Sequence, residues 1–364
     1  MRSFFIVGVQ RSGTTLLSVM LSKHPDIYME KRSIAFRFIT CFENIERLLP
    51  YNLSVDPQAF LKWLIENDLD GHLAELLDIE HLADYENIRE LLDHSIQQKL
   101  DREEKKLWGD KSPNLQHFTG SLLRLIPEAK IIQIIRDGRA TANSMHRRAD
   151  KNVYLAAQEW LEGNISGLSH QQVLGAQQFL MIRYEDLLEK PEQVMQRVCT
   201  FLQIDYDPQV IVPEDTALPE EKKYVKSVLD PQKIDLWKTQ LSTKEIQGIE
   251  AIQGPMLKRF GYALLTPMEA YRHRPMSLGR RILYHQWDNF RQLFRSQRIG
   301  MVKREKVVLK ISFRSRLYAF VRVFCQEFLS LRIFSRLFSR VFYKEKYFKE
   351  AAKKESVAES VEKL

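Results

Sequence analysis

The chain has 364 residues, 44% of them hydrophobic and 28% charged, with a formal net charge of +8. That length suits one large α/β domain plus an appendage, and the composition is that of an ordinary globular protein. Its three cysteines, Cys41, Cys199 and Cys325, have no metal-ligand or redox-motif spacing, which excludes a disulfide scaffold or a cysteine-based metal site and leaves reduced thiols. The positive charge is unevenly spread. Residues 271–364 hold 23 Lys+Arg against 8 Asp+Glu, a net of +15, whereas residues 1–270 carry a net of −7. A change of module near residue 270 follows. No positively charged segment with an apolar core precedes the first apolar run, and no stretch of about 18 apolar residues occurs, so a cytoplasmic enzyme is expected.

In chain order, a strand is predicted at residues 3–8, feeding Gly8-Val9-Gln10-Arg11-Ser12-Gly13-Thr14-Thr15 and then the helix-like Leu16–Leu21. Strand, glycine-bounded turn and helix form the geometry that points backbone N–H groups at a phosphate. The glycines have P-loop spacing, but Thr14 stands where the P-loop lysine would reach the β/γ-phosphates. Arg11 supplies the cation instead. His24-Pro25-Asp26 makes a turn into a short second strand at 27–29. From about 34 to 106 the pattern is helical: Phe60 and Leu64, then Leu73, Leu76 and Leu77, then Ile88, Leu91, Leu92 and Ile96 recur at helical spacing, with Asp56-Pro57 as a helix start. A third strand is expected at 106–109, a helix over Leu122–Ile126 ending at Pro127, and a fourth strand at 130–135.

That fourth strand ends at Arg136-Asp137-Gly138-Arg139, and Ser144 lies eight residues beyond Arg136, inside the next helix. In an open α/β sheet, ligands collect at the C-terminal ends of strands. Two strand ends therefore offer cations and donors to an anionic ligand with phosphates at two separated positions. A further helix is predicted around 154–170, a fifth strand at 179–182, a helix opening at Pro191, a polar loop over 205–232 and a helix from Thr243 to near Gly261.

The two phosphate motifs resemble the paired signature of sulfotransferases that use 3′-phosphoadenosine 5′-phosphosulfate (PAPS), in the branch of bacterial and tyrosylprotein-type enzymes. Trp108-Gly109-Asp110-Lys111-Ser112-Pro113 and Arg183-Tyr184-Glu185-Asp186-Leu187 resemble it too. The resemblance covers roughly residues 3–265. It implies a P-loop-like three-layer sandwich with a parallel sheet over residues 1–268, in which 34–106 is a helical insertion over the acceptor side, followed by a mainly helical basic extension over 269–364. It implies that Arg11, Ser12, Gly13, Thr14 and Thr15 hold the 5′-phosphosulfate, that Arg136, Ser144 and Arg148 hold the 3′-phosphate, and that Tyr184 contacts the nucleotide. Lys111 becomes a second cation beside the sulfuryl group, and Lys226 and Ser227 match loosely a loop over the nucleotide. Hormone-type members place a histidine base two residues after the lysine; here that position is Pro113. Tyrosylprotein-type members use a glutamate after the second strand. Glu30 is the carboxylate there, although an ungapped comparison places Arg32 at that position, and His117 and Asp110 stand in reserve. A carboxylate base needs its pKa raised by burial or a neighbouring charge. No metal is required, because arginine and lysine neutralise the charge.

The expected activity is sulfuryl transfer from PAPS to a hydroxyl. One alternative is a P-loop kinase or NTPase, disfavoured by Thr14 in place of lysine and by Asp137, which sits in an Arg-Asp-Gly turn rather than at a Mg²⁺ site. Another is a nucleotide-binding, membrane-docking protein without catalysis. In the tail, Leu317, Phe320, Val321, Phe324, Phe328, Leu331, Phe334, Phe338, Val341 and Phe342 recur at three- and four-residue steps among arginines. Such a stretch, within 271–343, fits a helix lying peripherally on an anionic membrane and hence a lipid-like or glycan acceptor. Packing of the same face on the main domain or a second subunit fits equally. Nucleic acid is disfavoured, since the rest of the chain is acidic.

Overall fold

The computed structural model describes residues 3–30, 88–113, 115–211, 234–267 and 269–299. Two compact units divide the chain, Met1–Pro275 and Met276–Leu364.

The first unit opens with β1 (Ser3–Val7), followed by α1 (Thr14–Leu21), β2 (Ile27–Glu30) and α2 (Ile88–Arg102). Next come β3 (Leu107–Lys111), a 3₁₀ turn at Leu115–His117, α3 (Thr119–Leu125) and β4 (Lys130–Ile135). Then follow α4 (Gly138–Ala149), α5 (Val153–Gln178), β5 (Phe179–Arg183), α6 (Tyr184–Glu189) and α7 (Pro191–Leu202). A 3₁₀ turn at Pro208–Ile211, α8 (Trp237–Gln240) and α9 (Thr243–Arg259) complete its described helices. The five strands form one parallel sheet in the order β2-β3-β1-β4-β5. All five residues of β1 are buried, as a central parallel strand covered on both faces requires.

Strand alternation divides the core. Phe4 and Ile6 of β1, Met29 of β2, and Ile132 and Ile134 of β4 face α1 and the apolar stripe Val194, Met195, Val198 and Leu202 of α7. Phe5 packs edge-on against Trp108, ring centroids 5.6 Å apart, on the opposite face. There Gln133 donates to Asn164 of α5 at 3.1 Å. Helix ends follow local chemistry: Asn152 caps α5, Pro191 opens α7, and Ser242 and Glu245 form a capping box on α9.

Several expectations shift in detail. Strand β3 runs two residues past the predicted end and takes in Asp110 and Lys111, because both pair with β1. The predicted helix at 154–170 extends to Gln178, past a kink at Gly175, φ 67°. Helix α6 had no prediction. Of the predicted helical stretch 34–106, residues 88–102 are helical and 31–87 lie outside the described residues. In the second unit the described element is α10 (Leu278–Ile299), with Leu278, Leu283 and Trp287 exposed. The tail repeat at 317–342 lies outside the described residues.

Candidate active site

The loop after β1 is shaped by three unusual backbone conformations: Gly8 at φ 154°, Arg11 at φ 71° and Gly13 at φ 104°. Arg11 adopts the left-handed region that a non-glycine residue occupies at a cost of about 1–3 kcal/mol, tolerated where the surroundings enforce it. A Cβ at Gly8 would lie 2.7 Å from the Ile134 carbonyl oxygen, and one at Gly13 would lie 2.4 Å from Cδ2 of Tyr184. The loop is therefore held tightly against β4 and α6. Gly13 is the N-cap of α1, offers no side-chain cap, and no acidic residue stands in the first turn. The N–H groups at Thr14 and Thr15 thus begin a helix whose N-terminus suits an anion. Ser12 is 1% exposed, and its Oγ is buried with no hydrogen-bond partner among the described residues. An orphaned hydroxyl inside such a loop fits a missing phosphate oxygen.

The second motif closes on the first. Arg11 Nε donates to Ser144 Oγ at 3.2 Å, across 133 residues of sequence. Arg136, just past β4, donates from its guanidinium to the Arg11 carbonyl at 3.3 Å. That guanidinium lies 4.5 Å from the centroid of the Tyr184 ring, the same ring that abuts Gly13. Arg11, Ser12, Gly13, Arg136, Ser144 and Tyr184 are thus one cluster. Arg148 lies one turn beyond Ser144 on α4 and is exposed.

Glu30 and Lys111 end β2 and β3. Glu30 pairs with Asp110, and Lys111 with Ile6. Alternation puts Lys111 on the α1 face of the sheet, and Glu30 with Asp110 on the opposite face. Glu30 is 8% exposed and Asp110 is fully buried, the latter accepting from Ser112 Oγ. His117 stands in the 3₁₀ turn that follows β3; burial lowers its pKa, opposed by Glu162 and Glu159. Lys226 and Ser227 lie outside the described residues. Among the described residues no group of three or more His, Cys, Asp or Glu could hold a metal ion.

A buried ionic network supports the cluster, built largely from partners far apart in sequence. Asp137 caps α4, accepting from Arg139 N at 2.8 Å and from the Arg139 side chain at 2.7 and 3.0 Å. Arg139 also donates to Glu250 at 2.5 Å and to the Ala263 carbonyl at 2.8 Å, and lies 4.1 Å from the Trp237 ring centroid. Burial works against the Arg139 charge, but Asp137 and Glu250 outweigh it and hold the guanidinium protonated. Trp160 Nε1 donates to the Arg136 carbonyl at 2.9 Å. Glu185 accepts from Asp137 N–H at 2.8 Å and from the Tyr262 hydroxyl at 2.7 Å. An aspartate before a helix-starting glycine was the one local signal available.

A family model described as "Sulfotransferase family" matches residues 3–208. Among curated relatives, protein-tyrosine sulfotransferase A of Caenorhabditis elegans is 27% identical over 281 residues, covering 71% of this chain and 66% of the relative. Nodulation protein NoeE of Sinorhizobium fredii is 25% identical over 295 residues, covering 71% and 65%. The chain spans about two thirds of the length of these two relatives. Among solved structures, the sulfotransferase domain of the Synechococcus PCC 7002 olefin synthase is similar, with 24% identity, a TM-score of 0.49, and coverage of 72% of this chain and 96% of that domain. The chain belongs to the sulfotransferase family.

Proposed function

We propose that this protein transfers the sulfuryl group of PAPS to a hydroxyl, giving a sulfate ester and 3′-phosphoadenosine 5′-phosphate (PAP). The observation that carries this reading is the Arg11–Ser144 hydrogen bond, with Arg136 on the Arg11 carbonyl. These contacts bring the loop after β1 and the end of β4 into one cluster, which supports a nucleotide phosphorylated at both ends as the ligand.

The chemistry follows from the residues. The N–H groups of Ser12 to Thr15 hold the 5′-phosphate, and Arg136, Ser144 and Arg148 hold the 3′-phosphate. Tyr184 packs against the nucleotide while bracing Arg136. Glu30 removes the acceptor proton as the acceptor oxygen bonds to sulfur. The bond from sulfur to the bridging phosphate oxygen breaks, and PAP departs with the electron pair. Arg11 and Lys111, on the phosphate-loop side of the sheet, neutralise that oxygen as its charge grows. Glu30, on the other face, meets the acceptor from the opposite side, as in-line displacement demands.

The acceptor is a hydroxyl presented at the β2–β3 edge. Two features bear on its class. Relatives named protein-tyrosine sulfotransferases favour a phenolic hydroxyl on a protein. The exposed Leu283 and Trp287 of α10, with Arg280 and Arg281 in its first turn, favour a lipid-like or glycan acceptor at an anionic membrane facing the cytoplasm. Cosedimentation with anionic vesicles, with and without residues 271–364, tests the membrane reading; no vesicle binding by the full chain removes it. For the reaction class, calorimetry with PAP and ATP on wild type and on Arg136→Ala/Ser144→Ala is decisive. Micromolar PAP binding that the double variant loses, with ATP much weaker, is expected. Wild type that ignores PAP overturns the assignment.

A further inference from the structure

Tyr184 and Glu185 are neighbours in the first turn of α6, and they brace the same dipeptide from two sides. The Tyr184 ring supports the Arg136 guanidinium. Glu185 accepts the N–H of Asp137, the peptide group that leaves Arg136. With Trp160 on the Arg136 carbonyl, both polar atoms of the peptide group that follows Arg136 are tied down.

Glu185 is an expensive choice for that task. It is 6% exposed, its two close partners are a neutral amide and a neutral phenol, and the nearest cation, Arg183, stands 4.0 Å away. Burial raises its pKa, against the pull of the Asp137 and Tyr262 hydrogen bonds. A buried carboxylate held mainly by neutral donors is a poor device for stability alone. Its second oxygen depends on Tyr262, which follows Gly261, φ 78°, at the end of α9. Beyond Tyr262 the chain is stitched to the start of α4: Ala263 accepts from Arg139, and Leu265 and Thr266 donate to Glu250, the partner of Arg139. This segment lies outside the stretch matched by the family model.

We infer that Glu185 and Tyr262 are positioning residues for the 3′-phosphate site, the Tyr262 hydroxyl orienting Glu185 so that Glu185 sets the backbone from which Arg136 projects. The inference rests on the assignment of Arg136 to the 3′-phosphate made above. A brace of this kind acts most on ligands that carry a 3′-phosphate, and reaches the loop after β1 only through the Arg136 bond to the Arg11 carbonyl. A brace that merely holds α9 in place would affect every ligand alike, through stability.

The test compares PAP with adenosine 5′-phosphate, which lacks the 3′-phosphate, on the full chain. Dissociation constants are measured by calorimetry for wild type, Tyr262→Phe, Glu185→Gln, Glu185→Ala and Val198→Ala, with thermal unfolding in parallel. Tyr262→Phe keeps the ring stacked on Arg183, 4.6 Å from its guanidinium, so this variant is expected to fold. Val198→Ala opens a gap in the opposite core face and is the stability control. Expected are a wild type that prefers PAP, a loss of about fivefold to tenfold in PAP affinity in Tyr262→Phe, and a change under about twofold for adenosine 5′-phosphate. Glu185→Gln retains an acceptor for the Asp137 amide and should lose less than Glu185→Ala. Equal losses for both ligands, or no loss while the unfolding temperature falls, overturn the inference and leave the 3′-phosphate assignment standing. A wild type that binds both ligands equally removes the assignment itself, and the inference with it.

Discussion

Gly13→Ala is the most demanding single test of the loop. Two costs are superposed at this position. The backbone sits at φ 104°, which an alanine adopts with a strain of about 1–3 kcal/mol. The added Cβ would also lie 2.4 Å from Tyr184 Cδ2 and 3.2 Å from Ile134 Cδ1. The ring cannot yield freely, because Arg136 stacks on it at 4.5 Å, so overpacking adds about 1–3 kcal/mol. The total, about 2–6 kcal/mol, corresponds to a fall in unfolding temperature of roughly 4–10 °C for a unit of this size. Because the displaced ring carries Arg136 with it, PAP affinity should drop by about tenfold or more. Scanning fluorimetry and calorimetry measure the two effects. Tyr184→Ala in the same chain relieves the collision but not the strain, so the double variant should recover about 1–3 kcal/mol relative to additivity. Gly13→Ala with wild-type unfolding temperature and PAP affinity would refute the argument that the ring pins the loop.

Other outcomes follow from single groups. Glu30→Gln should lower kcat by about 100-fold or more while leaving PAP affinity within about twofold, because the base acts on the acceptor alone; equal losses in both would remove Glu30 from that role. Burial pushes the Cys199 thiol up to about 11, so a thiol reagent should ignore it in the native protein and modify it only after unfolding. Burial would raise the Glu250 carboxyl, but hydrogen bonds from Leu265, Thr266 and Arg139 outweigh this and hold it below its ordinary 4.5. A lowered folded pKa contributes stability that is present above the unfolded value and lost as pH falls through the folded one. Acid unfolding should therefore steepen below about pH 4.5, and Glu250→Gln should flatten that part of the profile. Gly167→Ala would place a Cβ 1.9 Å from Gln133 Oε1, beneath α5; a loss of about 1–3 kcal/mol is expected in denaturant unfolding, partly relieved by Gln133→Ala.

Much of the site was legible because its parts are local. The β1 loop announces itself through glycines at a strand–helix junction, and Arg136 and Ser144 sit eight residues apart on one strand end and its helix. Strand β4 was readable to the residue, since Ile131, Ile132, Ile134 and Ile135, interrupted only by Gln133, stand between a proline turn and a charged one. Helix α6 was not, because six residues starting at Tyr184 hold too little periodicity to register. The bond between Arg11 and Ser144 could be expected only from topology. The Glu185–Tyr262 and Arg139–Glu250 pairs had no signal at all: 77 and 111 residues separate the partners, and each residue alone looks like an ordinary surface charge or core aromatic.

The position of β1 at the centre of the sheet has a consequence for how this protein can change. To one side stand β3 and β2, with Lys111 and Glu30; to the other stand β4 and β5, with Arg136 and Tyr184. The chain completes the first flank before it begins the second, so the two halves of the pocket are written in separate, consecutive stretches of gene. On the proposed assignment, an insertion between β2 and β3 would alter the acceptor side while leaving the loop after β1 and the end of β4 unchanged. Donor recognition and acceptor choice could then evolve at different rates within one chain.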